Sequence, residues 1–209
     1  TGSGKSSLVN MLPRFYDYTG GQLKIDGIDV KDYAVDDLRN KIGVVMQKAV
    51  LFKGTIREHL KWGNPDASDA DLMEALETAQ AAEVVQGKEN GLDAEVAQSG
   101  KNFSGGQKQR LTIARALVRK PEILILDDSA SALDYATDAA LRKAIRDMKN
   151  SPTLFIVSQR AASILYADKI IVLDDGKVVG IGKHNELLEN CPVYQEIYYS
   201  QFPKERKEA

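Results

Sequence analysis

The chain carries very few of the residues that staple or metallate small proteins: one cysteine, Cys191, and two histidines, His59 and His184, in 209 residues. That set cannot close an internal disulfide or assemble a zinc site from Cys and His ligands. It suits a reducing compartment. Long apolar runs are missing too: none reaches the roughly 18 residues that a bilayer crossing needs, and no signal sequence precedes the opening residues. A soluble cytosolic piece is therefore expected. The net charge of -2 lacks the positive excess of a nucleic-acid surface, so no nucleic-acid partner is expected.

With 43% hydrophobic and 28% charged residues, the chain can bury one sizeable core. Gln22-Leu23-Lys24-Ile25, Asp26-Gly27 and Ile28-Asp29-Val30 read as a hairpin, followed by a strand over Ile42–Met46 that ends at Gln47. Thr55-Ile56-Arg57-Glu58 is a capping-box start, and Ser68 opens a second helix, so residues 48–118 read as a mostly helical insertion. After Pro121, Ile123-Leu124-Ile125-Leu126 has the short, branched, charge-bounded character of a buried parallel strand. A helix over 135–149, a strand over Thr153–Val157, a short helix near 161–166 and a strand over Lys169–Leu173 continue the alternation, which favours a parallel sheet. Asp175-Gly176 turns an edge hairpin, and helices near 184–189 and 193–202 close the fold before a tail, Pro203–Glu208, expected to be disordered.

Chemistry enters at the first residues. Thr1-Gly2-Ser3-Gly4-Lys5-Ser6-Ser7 is the latter part of the pattern G-x-x-x-x-G-K-[ST], whose first glycine would fall before Thr1. Glycines let backbone N–H groups turn inward around β- and γ-phosphates, Lys5 supplies a positive point charge and the Ser6 hydroxyl can hold Mg²⁺. A helix opening at about Ser6 adds its positive end. ATP and Mg²⁺ are thus the expected ligands, held by Gly2, Ser3, Gly4, Lys5, Ser6 and Ser7; the plain alternative is a glycine turn capped by serine. Asp127 and Asp128 stand at the C-terminal end of the buried strand, where ligands of open α/β sheets collect. Asp127 is the acid expected to hold Mg²⁺ through water. Ser131-Ala132-Leu133-Asp134 follows, and on its own it also reads as the cap of the next helix.

Between these motifs lies Asn102-Phe103-Ser104-Gly105-Gly106-Gln107-Lys108-Gln109-Arg110. In order and spacing, over nearly all 209 residues, the set resembles the nucleotide-binding domains of ABC transporters. The resemblance implies an α/β P-loop NTPase fold with a parallel core sheet, an antiparallel β hairpin and an inserted helical subdomain. The RecA-like core would cover about 1–47 and 119–209, and the helical signature subdomain about 48–118. It also implies an N-terminally truncated domain: the strand before the phosphate loop, the first Walker glycine and the adenine-stacking aromatic residue would lie upstream of Thr1. Gln47 matches the Q-loop glutamine, which touches Mg²⁺ and faces the membrane domain; Ser104, Gly105, Gly106 and Gln107 match the signature; Ser131 to Asp134 match the D-loop. In this family two domains stack head to tail, so that the signature of one meets the γ-phosphate on the other. Ser104 can cap that helix, and the glycines let its N–H groups approach an anion.

Two departures weigh more than the agreements. The family's usual catalytic Glu is Asp128 here, and its usual switch His is Gln159. Asp withdraws the carboxylate by one methylene, and a base that cannot reach the attacking water loses much of its effect. Gln159 can hydrogen-bond a γ-phosphate but cannot become a cation or shuttle a proton. Phe103 stands where Leu is more common, and Glu95–Gly100 occupies the place of an exporter-type coupling loop without the usual acid next to its glycine. A weakened site of its own beside an intact signature resembles one half of a heterodimeric exporter. That implies a second, non-identical nucleotide-binding domain, a transmembrane domain upstream of Thr1 in the same chain, and a place at the cytoplasmic face of the cell membrane. Two alternatives stand beside it: a module that only clamps ATP, and a non-transport relative acting on DNA or ribosomes, against which the missing heptad run counts.

Overall fold

The computed structural model describes residues 2–205; Thr1 and the tail residues 206–209 lie outside that range. Helix α1 (Lys5–Asn10) leads to a ribbon of β1 (Lys24–Ile25) and β2 (Ile28–Asp29), antiparallel with Ile25 opposite Ile28. Asp26 (φ 52) and Gly27 (φ 82) both take left-handed backbone, as a two-residue hairpin turn of this twist requires. After α2 (Val35–Lys41), β3 (Ile42–Val45) enters the central sheet.

Residues 48–118 contain the short strand β4 (Gly54–Thr55), α3 (Ile56–Lys61), α4 (Asp69–Thr78), α5 (Ala82–Gln86), β5 (Glu95–Val96) and α6 (Gly105–Val118). Both expected starts are capping boxes: Thr55 with Glu58, and Ser68 with Asp71. The antiparallel pair β4–β5 is not readable from the sequence, because Gly54-Thr55 and Glu95-Val96 lie far apart along the chain with no turn signal joining them. Ile56, Leu60, Leu72, Leu76, Leu111 and Ile113 share one apolar cluster with Val45, Leu124, Leu126 and Leu141, so the helices rest on the central sheet through a continuous core.

Next, β6 (Ile123–Asp127) is buried along all five residues, α7 (Tyr135–Arg146) returns, and β7 (Thr153–Val157) completes a parallel sheet in the order β3-β6-β7. Val45, Leu126 and Ile156 lie in register. Alternation along β6 sends Leu124 and Leu126 to the helical cluster. Ile123 and Ile125 join Val9, Leu12, Val30 and Leu38 on the opposite face.

The parallel alternation stops there. Residues 161–166 were expected to form a short helix, but only the 3₁₀ turn Ala161–Ser163 forms. Arg142 donates to the carbonyls of Ala162 and Ser163, and its partner Asp138 accepts from Ser163 Oγ at 2.9 Å, so α7 takes the groups that a longer helix would use. β8 (Ile170–Asp174) does not extend the parallel sheet as expected; it pairs with β9 (Lys177–Gly182) in an antiparallel hairpin, which turns at Asp175-Gly176 as the sequence predicts. Helices α8 (His184–Asn190) and α9 (Pro192–Gln201) cover it, packing Leu187, Cys191 and Tyr194 on Ile170 and Val172. Within the tail expected to be disordered, Glu205 N–H donates to Phe202 O at 3.2 Å and its carboxylate accepts from the Tyr198 hydroxyl.

Candidate functional site

The sheet order places the C-terminal ends of β3, β6 and β7 side by side, and Gln47, Asp127, Asp128 and Gln159 lie at or just beyond those ends. Residues 2–7, with Gln47, Asp127, Asp128, Val157, Ser158 and Gln159, line a cleft of about 270 Å³. Gly2 (φ 91) and Gly4 (φ 86) take backbone angles that side chains with a Cβ rarely adopt, and Gly4 turns the chain into α1, which starts at Lys5, one residue earlier than expected. Lys5 Nζ donates to Ser3 Oγ at 2.7 Å. Ser6 Oγ donates to Asp127 Oδ1 at 3.0 Å, joining two oxygens suited to Mg²⁺ beside a glycine cradle suited to phosphate. These residues fit a magnesium nucleotide.

Asp128 is held in an unusual way. Its backbone is left-handed (φ 47), its N–H donates to Val157 O at 2.8 Å, and its carbonyl accepts from Ser131 Oγ at 2.8 Å. Strain of this kind at a non-glycine residue persists only where the surroundings over-determine it. Its carboxylate Oδ2 accepts from Gln47 Nε2 at 2.9 Å. Gln159 is exposed, and among the described residues its side chain makes no hydrogen bond.

Ser104, Gly105, Gly106 and Gln107 do not line this cleft. They open α6 as a capping box: Ser104 Oγ accepts from Gln107 N–H at 3.2 Å and Gln107 Oε1 from Ser104 N–H at 2.9 Å. Gly105 faces open space, whereas a Cβ on Gly106 would lie 3.2 Å from Ala132 O, next to the segment read as a D-loop. Phe103 is buried in the large core, with Lys88 Nζ 5.0 Å from its ring centroid. His59 is 2% exposed; its Nε2 accepts from Phe52 N–H and its Nδ1 donates to Thr55 O, a core role away from the cleft.

Sequence reasoning missed Arg160 and Gln201. Arg160 donates to the carbonyls of Ala130, Ser131 and Leu133, and Gln201 reaches the backbone of Gln159 and Ala161. Neither belongs to a local pattern, so no signal along the chain could have marked them.

The ABC transporter family model matches residues 1–131, and the chain belongs to that family as an ATP-binding domain. It is 45% identical over 209 residues to an uncharacterized ABC transporter ATP-binding protein of Bacillus subtilis, covering 100% of this chain and 36% of the relative. It is 42% identical over 201 residues to a protein of Staphylococcus aureus provisionally named a multidrug export ATP-binding/permease protein, covering 96% and 35%. Among solved structures, a bacterial Atm1-family ABC exporter with ATP bound superposes with a TM-score of 0.91 at 36% identity, covering 96% of this chain and 35% of that one. The chain thus spans about a third of the length of these relatives. No helix among the described residues is long and apolar enough to cross a membrane.

Proposed function

We propose that this chain is the ATP-driven half of an exporter, with a weakened catalytic site of its own and an intact signature lent to a non-identical partner. The observation that carries the reading is the cleft, which Asp128 and Gln159 both line; by the family resemblance these two residues answer to its general base and switch histidine. Mg²⁺-ATP, when bound, supplies a γ-phosphoryl group open to in-line attack by water. Lys5 and the N–H groups of residues 2–7 would hold the phosphates, and Ser6, Asp127 and Gln47 the metal. Asp128, one methylene shorter than Glu and hydrogen-bonded to Gln47, would reach the attacking water poorly. Gln159 would bind the γ-phosphate without carrying a proton.

Support for the partner domains comes from two surfaces. Ser104 to Gln107 sit outside this chain's own cleft and present a glycine-rich helix start to whatever stacks on it. Around Gln47 in sequence, the exposed apolar residues Met46, Val50 and Phe52, with the Trp62 ring centroid 5.4 Å from that of Phe52, suit contact with a membrane domain. The export assignment rests on relatives named for that activity and would place the domain at the cytoplasmic face of the membrane.

Steady-state ATP turnover by the full-length protein, purified without any other ABC subunit, tests the reading. Negligible turnover with retained ATP binding is the expected result. Robust turnover would mean that Asp128 and Gln159 suffice in a homodimer and would overturn the asymmetric pair.

A further inference from the structure

We infer that Gln201, the last residue of α9, is a positioning residue for the nucleotide cleft, acting through the backbone of the loop that carries Gln159. The inference rests on the reading that Gln159 meets the γ-phosphate. Gln201 Nε2 donates to Gln159 O at 2.7 Å, and Gln201 Oε1 accepts from Ala161 N–H at 2.9 Å. One side-chain amide therefore grips the two residues that flank Arg160. Ala161 is 1% exposed, so the hydrogen bond from Gln201 satisfies a donor that water could hardly reach.

Between those two grips, Arg160 projects the other way. Its guanidinium donates to Ala130 O (3.1 Å), Ser131 O (2.9 Å) and Leu133 O (2.9 Å) and lies 5.2 Å from the Tyr135 ring centroid. Ser158 Oγ accepts from Arg160 N–H at 2.9 Å and completes the loop. The consequence is a hydrogen-bonded connection running from α9, through residues 158–161, to the segment that follows Asp128. The side chain of Gln159 is left out of it: its backbone is fixed while its amide stays free on the cleft. That division is what a positioning device requires, because loss of the grip displaces Gln159 without removing it.

The test uses the full-length protein with two substitutions. Gln201→Met keeps similar bulk and removes both hydrogen bonds; Gln201→Glu retains the acceptor for Ala161 N–H and loses the donor to Gln159 O. Hydrogen exchange at the Ala161 amide, measured without nucleotide, should speed up about tenfold in Gln201→Met and stay near the parent in Gln201→Glu. Release of labelled ATP should be about tenfold faster in Gln201→Met, while ADP, which lacks the γ-phosphate, should leave at a rate within about twofold of the parent. Both nucleotides accelerating alike would indicate general loosening and overturn the proposal. ATP release unchanged in Gln201→Met, with a parent that binds ATP, would overturn it as well and leave the function of the cleft intact. A parent that binds neither nucleotide would overturn the ATP reading, and this inference with it.

Discussion

Gln47 Nε2 donates to Asp128 Oδ2 at 2.9 Å, joining residues 81 positions apart in the chain. They meet because β3 and β6 are parallel neighbours and each residue follows the C-terminal end of its strand. Asp128 is thus tied to the residue proposed to touch the metal, and its carboxylate leans toward Gln47 rather than standing free at the mouth of the cleft.

If the length of the acid and the missing imidazole limit this half-site, lengthening one and restoring the other should speed it up. Asp128→Glu combined with Gln159→His in the full-length protein is expected to raise ATP turnover tenfold or more, since general-base assistance is worth about 10²- to 10⁴-fold. Phosphate release at saturating Mg²⁺-ATP reads this directly. Unaltered turnover would show that these two residues are not the limiting ones.

The signature should act on a site other than its own. A Cβ at Gly106 already approaches Ala132 O to 3.2 Å, so the branched side chain of Gly106→Val must push the α6 start away from that segment. Turnover of the assembled pair should fall roughly 10²-fold, the scale of losing a positioned anion donor. Affinity of this chain's own cleft for Mg²⁺-ATP, measured by equilibrium binding, should stay within about twofold, because these residues do not line it.

Among the described residues, Asn10 Oδ1 is a buried side-chain oxygen without a hydrogen-bond partner, on the helix that follows the phosphate loop. An unsatisfied buried acceptor costs about 1–3 kcal/mol. Asn10→Leu, apolar and of similar size, should therefore stabilise the protein by an amount in that range, visible as a higher denaturant midpoint with the slope unchanged. A lower midpoint would mean that the oxygen is satisfied in solution.

Burial holds His184 below its usual range, with Glu205 pulling weakly the other way, while its Nδ1 meets the Tyr194 hydroxyl at 2.9 Å and Tyr198 packs 4.9 Å away. Because its folded value lies below 6.5, the neutral form is favoured by folding, and the stability it contributes is present above about pH 6.5 and is lost as pH falls through the folded value. The Tm of the parent should fall more steeply on acidification below about pH 6.5 than that of His184→Gln, which cannot titrate. Parallel pH profiles would remove His184 from the account.

Much of this protein is determined by the residues locally. The phosphate-loop glycines, the boxes at Thr55, Ser68 and Ser104, the Asp-Gly turns and the continuous apolar run of β6 each follow from neighbours within a few positions, where backbone sterics and side-chain periodicity act alone. Part of the cleft was legible for the same reason, in the glycine loop and in Asp127-Asp128 at a strand end, whereas Gln47 and Gln159 are identified by resemblance to the family. Other features were decided only in three dimensions. β8 leaves the parallel sheet for β9, residues 161–163 stop at one 3₁₀ turn because Arg142 takes their carbonyls, and β4 finds β5 across the helical segment. The grip of Gln201 on Gln159 and Ala161 belongs with these: it depends on where the end of α9 comes to rest against a loop 40 residues earlier, a partnership that no spacing along the chain encodes.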